Sequence, residues 1–279
     1  MSDKTTTHPS LAATARWTAG ARAKESGRAD HLFSDPWAEA LAGPEGAEWV
    51  RQRDADRLEA ISIRTRFFDD FLQRITREQG IRQVVVMAAG LDTRAFRLSW
   101  PDHTRLFELD QPQVLQEKAE TLRALGAQPA CLRQALGVDL SRPWTAALLG
   151  AGFDPQSPSG WLLEGFLMYL TPEQLQRCLD EVTGLAAPGS WLGFDIINSD
   201  VLTSPWTRAW VEMQAKAGAP WVGTLDDPVG FLAERGWQAR LSAAGEADAN
   251  FGRWHFPVLP ITAPGMPHNW LVTAHKQVA

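Results

Sequence analysis

The chain has 279 residues, 44% of them hydrophobic, with a formal net charge of −6 and a pI near 5.6. That is enough apolar material for one large core, or a core with an appendage. There is no basic field to draw nucleic acid or an anionic membrane, so small molecules or peptides are the expected partners. The two cysteines, Cys131 and Cys178, stand apart without metal-ligand spacing, which points to neither a disulfide framework nor a metal site and fits a reducing, cytoplasmic setting.

The opening stretch MSDKTTTHPS has no apolar signal region, and no apolar run approaches the ~18 residues of a membrane span, so a soluble protein is expected. Residues 1 to about 15 read as frayed, and the pattern is helical from Ala12 to about Gln79. In SDPWAEAL, Ser34 or Asp35 is the expected N-cap, with Pro36 at the first helical position. The segment DRLEAISIRTRFFDDFLQRITREQG repeats Leu58, Ile61, Phe68, Phe71, Leu72 and Ile75 at helical spacing and stops at Gly80.

From Ile81 the grammar changes. RQVVVMAAG is short, apolar and rich in β-branched residues, as expected of a strand buried on both faces, with a helix to follow. TRLFELD is a second strand, and QPQVLQEKAETLRALG a helix with Pro112 near its start and Gly126 after its end. CLRQALGVDL holds a third strand and SGWLLEGFLMYL reads as a fourth. TPEQLQRCLDEVTGLAAPG is then a helix with Thr171 as N-cap and Pro172 behind it, and SWLGFDIIN is a fifth strand. The stretch from about 200 to 230 breaks the alternation as a helical insertion. PVGFLAERGWQARLSA restores a helix and a strand, and NWLVTAHK closes the chain with a strand of mixed polarity.

Strands alternating with helices predict an α/β fold: a doubly wound, mostly parallel, seven-stranded Rossmann-like sheet with an N-terminal helical region and a helical lid insertion. The expected division is a helical cap over residues 1–80, a ligand-binding core over 81–198, a lid or substrate region over 199–260 and a final strand over 261–279.

Ligands of open α/β sheets sit outside the carboxyl ends of the strands. Those ends carry Ala88, Ala89, Gly90 and Asp92 after the first strand, Asp110 after the second, Asp139 and Leu140 after the third and Glu164 after the fourth. Asp110 lies twenty residues beyond Gly90, a spacing at which a carboxylate accepts ribose hydroxyls. A pyrophosphate favours a glycine-rich turn without carboxylates, whereas Asp92 stands in this turn. The polarity favours S-adenosylmethionine, which has no phosphate and carries a sulfonium and an ammonium.

The segments RTRFFDDFL, VVVMAAGLDTRAFRL, LFELDQPQVLQEK, GVDL and LLEGFLMYL occur in order. Together they resemble the leucine carboxyl methyltransferase family of class I S-adenosylmethionine-dependent enzymes. The actinobacterial branch of small-molecule methyltransferases, which includes polyketide carboxyl methyl ester synthases, is the nearest in pattern. The resemblance covers roughly Ser62 to Asn198, with weaker similarity in FLAERGW and the last strand. It implies that Arg64, with Arg66 as fallback, binds the cofactor's carboxylate through its guanidinium fork. It further implies that Gly90 admits the methionine moiety, Asp110 takes the ribose hydroxyls, Asp139 with the Leu140 backbone takes the adenine, and Glu164 lies near the ammonium. Family members often carry glycine where this chain has Ala88. Alanine does not tolerate a positive φ, so ordinary dihedrals are expected there.

Methyl transfer from a sulfonium is an in-line displacement governed by positioning and desolvation. The resemblance implies an O-methyltransferase that forms a methyl ester on a small natural-product carboxylic acid, which needs no general base. A phenol or hydroxyl acceptor would need one: His255, His268 or Glu164 are the candidates. Tyr169 is placed at the crevice mouth as a catalytic or substrate-binding candidate. Trp206, Trp210, Trp221 and Trp254 in the insertion favour an apolar, aromatic acceptor. A peptide C-terminal carboxylate, a cofactor-retaining cyclase and a metabolite-binding or interaction protein on the same fold remain open alternatives. The oligomeric state is not encoded in these patterns.

Overall fold

The computed structural model describes residues 9–52 and 55–277. Three helices come first: α1 (Pro9–Ser26), α2 (Ala38–Arg51) and α3 (Ala55–Arg77). Strand and helix then alternate through β1 (Gln83–Met87), α4 (Arg94–Arg97), β2 (Arg105–Asp110), α5 (Pro112–Ala124), β3 (Leu132–Gly137), α6 (Thr145–Gly150) and β4 (Gly160–Leu163). A 3₁₀ turn at Leu167–Tyr169 leads to α7 (Pro172–Leu185) and β5 (Trp191–Ile197). The insertion forms α8 (Asp200–Thr203) and α9 (Arg208–Lys216), and the chain finishes with α10 (Pro228–Ala233), β6 (Trp237–Ala243) and β7 (Asn269–Lys276).

The seven strands form one sheet in the order β3-β2-β1-β4-β5-β7-β6. Pairing is parallel from β3 to β5, while β7 runs antiparallel between β5 and β6. Alternation along β1 explains why the sheet is covered twice. Val84 and Val86 pack on one face with Phe68, Phe71, Leu72 and Ile75 of α3. Val85 and Met87 pack on the other with Leu148 of α6 and Leu175, Leu179 and Val182 of α7. Each such fully buried apolar side chain contributes roughly 1.5–3 kcal/mol, so a strand apolar on both faces is stable only between two helical layers. No helix among the described residues is long and apolar enough to cross a membrane.

Helix α7 begins as its sequence dictates. The Gln174 N–H donates to the Thr171 hydroxyl, the Gln174 side chain returns the bond to the Thr171 backbone, and Pro172 occupies the first turn. Other boundaries depart from expectation. Helix α1 starts at Pro9, inside the stretch read as frayed; residues 1–8 lie outside the described ones. Helix α2 starts at Ala38, and its N-cap position, Trp37, makes no side-chain cap bond. Neither Ser34 nor Asp35 caps it, because Asp35 is drawn into a buried ion pair with Arg22 at 2.9 Å. The helix expected after β1 has only four residues. Finally, SGWLLEGFLMYL is not one strand. β4 stops at Leu163, Gly165 turns the chain at φ +63°, and Leu167–Tyr169 coils into the 3₁₀ turn.

Candidate functional site

The carboxyl ends of β1, β2 and β4 open on a cavity of about 980 Å³, at the upper end of the roughly 300–1,000 Å³ of small-molecule sites. One wall is built by the turns that follow these strands. After β1 the chain folds back on itself: Ala89 N–H donates to Leu109 O at 3.1 Å and Asp92 N–H to Ala89 O at 2.8 Å. Asp110, at the end of the neighbouring β2, fastens the turn by accepting from Gly90 N–H and from Gln111 N–H, both at 2.6 Å. Burial pushes the Asp110 carboxyl up from its ordinary value, and these two N–H groups oppose the shift.

The turn's conformation corrects one expectation. Ala88 has φ +49°, in the left-handed region, as does Gly90 at +44°. Alanine is tolerated because the bonds on either side fix the path of the chain; the cost of such a conformation is about 1–2 kcal/mol. A second correction concerns Asp92. Its carboxylate is paired with the Arg94 guanidinium, which also receives Asp69 at 2.6 Å. Burial opposes ionisation of Asp92, but Arg94 and Lys118 outweigh it and hold the carboxyl down at about 2. Its charge is locally compensated, so repulsion by Asp92 is a weaker argument against a pyrophosphate than the bare sequence makes it.

Arg64 and Glu164, one hundred residues apart, meet at the centre of this wall. Arg64 donates from Nε to Glu164 Oε1 at 2.9 Å and from Nη1 to Asp195 Oδ2 at 2.8 Å. Arg94 Nη2 lies 2.7 Å from Glu164 Oε2 as an ion contact, and that oxygen is buried without an aligned hydrogen bond among the described residues. Burial works against the charged form of Glu164, but Arg94 and Arg64 prevail and hold its carboxyl below the usual range. Arg66 is turned elsewhere: it pairs with Asp70 at 2.8 Å and donates to Leu32 O. At the rim Asp139 is exposed and accepts from the Ser141 N–H and hydroxyl, while Leu140 beside it is buried.

These residues fit S-adenosylmethionine. Glu164 Oε2 is a buried acceptor with an ion contact to Arg94 but no aligned donor, and Gly165, where a Cβ would lie 3.3 Å from Arg64 Nη2, lets the guanidinium approach the strand end. Asp110 and Asp139 offer carboxylates to hydroxyl and amino groups.

Another part of the lining is aromatic. Trp210 and Trp221 line it edge to face at 5.9 Å, and Trp17 and Trp49 line it as a stacked pair at 5.3 Å. Trp254 and Tyr169 complete it. Burial raises the Tyr169 phenol above its ordinary value, against the opposing influence of Trp221 and Arg64. Two expected residues are not brought here. Trp206 is 72% exposed and His255 is exposed, and neither lines the cavity. Each points to solvent although its neighbours, Thr207 beside Trp206 and Trp254 beside His255, line the cavity. His268 does line the cavity; its Nε2 lies 3.1 Å from Ala263 O, and its ring stacks on Trp270.

Sequence reasoning missed Asp195, Arg94 and the α1 contribution of Thr14. Asp195 had a signal, a carboxylate inside the otherwise apolar run GFDII of a central strand. Arg94 had one in GLDTR. The contribution of α1 had none, since it depends on tertiary docking.

The profile of the leucine carboxyl methyltransferase family matches residues 15–183. A relative from Mycolicibacterium gilvum, named as an S-adenosyl-L-methionine-dependent methyltransferase, is 38% identical over 270 residues, covering 88% of this chain and 87% of its own. Another of that name from Saccharopolyspora erythraea is 40% identical, covering 86% and 88%. Among solved structures, a DUF574 family protein from Streptomyces avermitilis superposes with TM-score 0.60 at 16% identity over 92% of this chain and 96% of its own. A methyltransferase from Thermobifida fusca does so with TM-score 0.60 at 19% identity over 92% and 94%. The structural likenesses establish the fold, and the family profile with its actinobacterial relatives establishes the lineage. This chain belongs to the leucine carboxyl methyltransferase family and is an S-adenosyl-L-methionine-dependent methyltransferase.

Proposed function

We propose that this enzyme methylates the carboxylate of a small, apolar or aromatic acid, forming a methyl ester. Bound S-adenosylmethionine supplies an electrophilic methyl group on its sulfonium. Arg64 donates to the cofactor's carboxylate, Glu164 accepts from its ammonium and Asp110 from its ribose hydroxyls. Gly90 leaves the backbone open beside the methionine moiety, and Asp139 with the Leu140 backbone takes the adenine. Tyr169, Trp210, Trp221 and Trp254 hold the acceptor and keep water from the reacting atoms, so that proximity and desolvation carry the rate.

The observation that carries this reading is the charge compensation of two carboxylates of the cavity, Asp92 and Glu164. Asp92 and Glu164 are clamped by Arg94 and Arg64 and held below their ordinary values. Neither is suited to take a proton from a hydroxyl, which favours an acceptor that arrives as an anion, as a carboxylic acid does at neutral pH. The family's carboxyl-methylating description agrees.

One observation supports a second reading, a phenol or hydroxyl acceptor. The Ala263 carbonyl can only accept, so His268 Nε2 carries the ring proton and Nδ1 keeps a lone pair that could serve as base. The variant His268→Gln separates the two. With aromatic acids as acceptors, the carboxylate reading predicts kcat/KM within about threefold of wild type and flat from about pH 6 to about 9. A loss of roughly 10²–10⁴-fold, with the rate rising with pH in the parent enzyme, would establish a base and overturn it.

A further inference from the structure

Like Asp69 behind Arg94, Asp195 is a carboxylate that stands behind the cofactor wall without lining the cavity. It lies within β5, beyond Glu164 at the end of the adjacent β4, and is fully buried. A strand flanked by Phe194, Ile196 and Ile197 has no packing use for a charge, and an unpaired buried carboxylate is strongly unfavourable. Both oxygens are used, and each fixes a different part of the wall. Oδ2 accepts from Arg64 Nη1 at 2.8 Å. Oδ1 accepts from the Gly165 N–H at 2.6 Å, in the left-handed turn that aims Glu164 back at Arg64. Glu164 then takes Arg64 Nε at 2.9 Å. The guanidinium is therefore held in its plane from two sides, through Nε and Nη1. Its remaining nitrogen, Nη2, takes part in neither of these bonds and lies against Gly165, whose missing side chain lets the guanidinium approach, and Arg64 lines the cavity.

We propose that Asp195 is the positioning residue for cofactor recognition: it holds the Arg64 guanidinium and the Gly165 turn in register so that Arg64 Nη2 presents to the carboxylate of the cofactor's amino-acid end. The proposal rests on the reading of Arg64 given above and extends it to a residue that never meets the ligand. A planar guanidinium fork recognises carboxylate only when its orientation is fixed, which is the contribution a second anion makes. Arg64 on α3 has a long, rotamer-rich side chain, and without Asp195 one of the two bonds that orient it is gone.

The test compares two probes by calorimetry, S-adenosylhomocysteine and 5′-methylthioadenosine, which shares the nucleoside but lacks the amino-acid end. Asp195→Asn replaces one acceptor oxygen by a donor facing a donor. It is expected to weaken S-adenosylhomocysteine binding by about 10- to 100-fold, as for loss of a charge-assisted bond, and to leave 5′-methylthioadenosine within twofold. Asp195→Ser, smaller and still able to accept one bond, is the second variant and is expected to show the same selective loss. Equal weakening of both probes, unchanged binding of both, or failure of both variants to give the wild-type circular dichroism spectrum would overturn the proposal. Arg64→Met distinguishes its failure from failure of the underlying reading. If Arg64→Met discriminates the probes and the Asp195 variants do not, only the positioning role falls. If Arg64→Met does not discriminate them, the assignment of Arg64 itself falls. In the double variant, Asp195→Asn should add little to Arg64→Met, because the two act through one bond.

Discussion

Ala88 holds a φ of +49° beside the cavity, and the methyl group that makes this unfavourable packs at the edge of the main core. Replacing it by glycine removes a left-handed cost of about 1–2 kcal/mol and adds roughly 0.5–1 kcal/mol of unfolded-chain entropy. Ala88→Gly is therefore expected to leave stability unchanged or raise it by up to about 1 kcal/mol. A β-branched residue there should lower it well below wild type. Urea denaturation measures both, and a loss above about 1 kcal/mol in the glycine variant would show that the alanine methyl has a packing role. Residue-scale legibility follows the same division. Gly90, Asp110 and Glu164 are readable because strand ends are readable and ligands collect there. The φ of Ala88 is not readable, because bonds made by Leu109 and Asp110 impose it from another strand. Nor is the pairing of Asp92, whose partner Arg94 lies two residues away but is oriented by Asp69 on α3.

The elements that enclose the cavity come from opposite ends of the chain, and a buried ion pair joins them. Arg253, beside Trp254, donates from Nη2 to Glu25 Oε1 at 2.9 Å and from Nη1 to Asp30 Oδ2 at 3.1 Å. Glu25 lies in the last turn of α1, and its Oε1 also accepts from the Leu32 N–H. This bond set ties the helix that carries Trp17 to the loop that carries Trp254. Arg253→Met leaves Glu25 buried without its main cation and is expected to cost about 3–5 kcal/mol. Adding Glu25→Gln should recover part of that loss in thermal melts, and no recovery would mean that the side chain's packing, not its charge, is what matters. Helix α1 itself was half visible to periodicity, but its seat on the cavity was not, since it depends on Arg22 reaching Asp35 and, across 69 residues, Leu91 O. The run SGWLLEGFLMYL misled for a related reason. Its apolar residues are buried as expected, yet in two different elements, divided where Asp195 accepts the Gly165 N–H.

At the scale of the molecule, one doubly covered sheet does two things. Its two cores give β1, β4 and β5 the burial that makes their carboxyl ends rigid, and its order places those ends side by side. Rigidity is what a reaction governed by positioning requires. The sheet was legible because buried parallel strands are written as β-branched runs between helices, and the antiparallel β7 was legible only as a strand, its place between β5 and β6 being set by pairing alone. The aromatic lining was partly legible: Trp210, Trp221 and Trp254 reach the cavity and Trp206 does not. The claim that joins these scales is methyl transfer to a carboxylate between the charged wall and the aromatic one. The most direct measurement incubates the enzyme with methyl-labelled S-adenosylmethionine and a panel of aromatic and aliphatic acids. It follows the label together with S-adenosylhomocysteine. The account predicts one labelled methyl per S-adenosylhomocysteine formed, in a product that releases labelled methanol in mild alkali, as an ester does. A labelled product stable to alkali, or S-adenosylmethionine bound with no transfer to any acid in the panel, would contradict it.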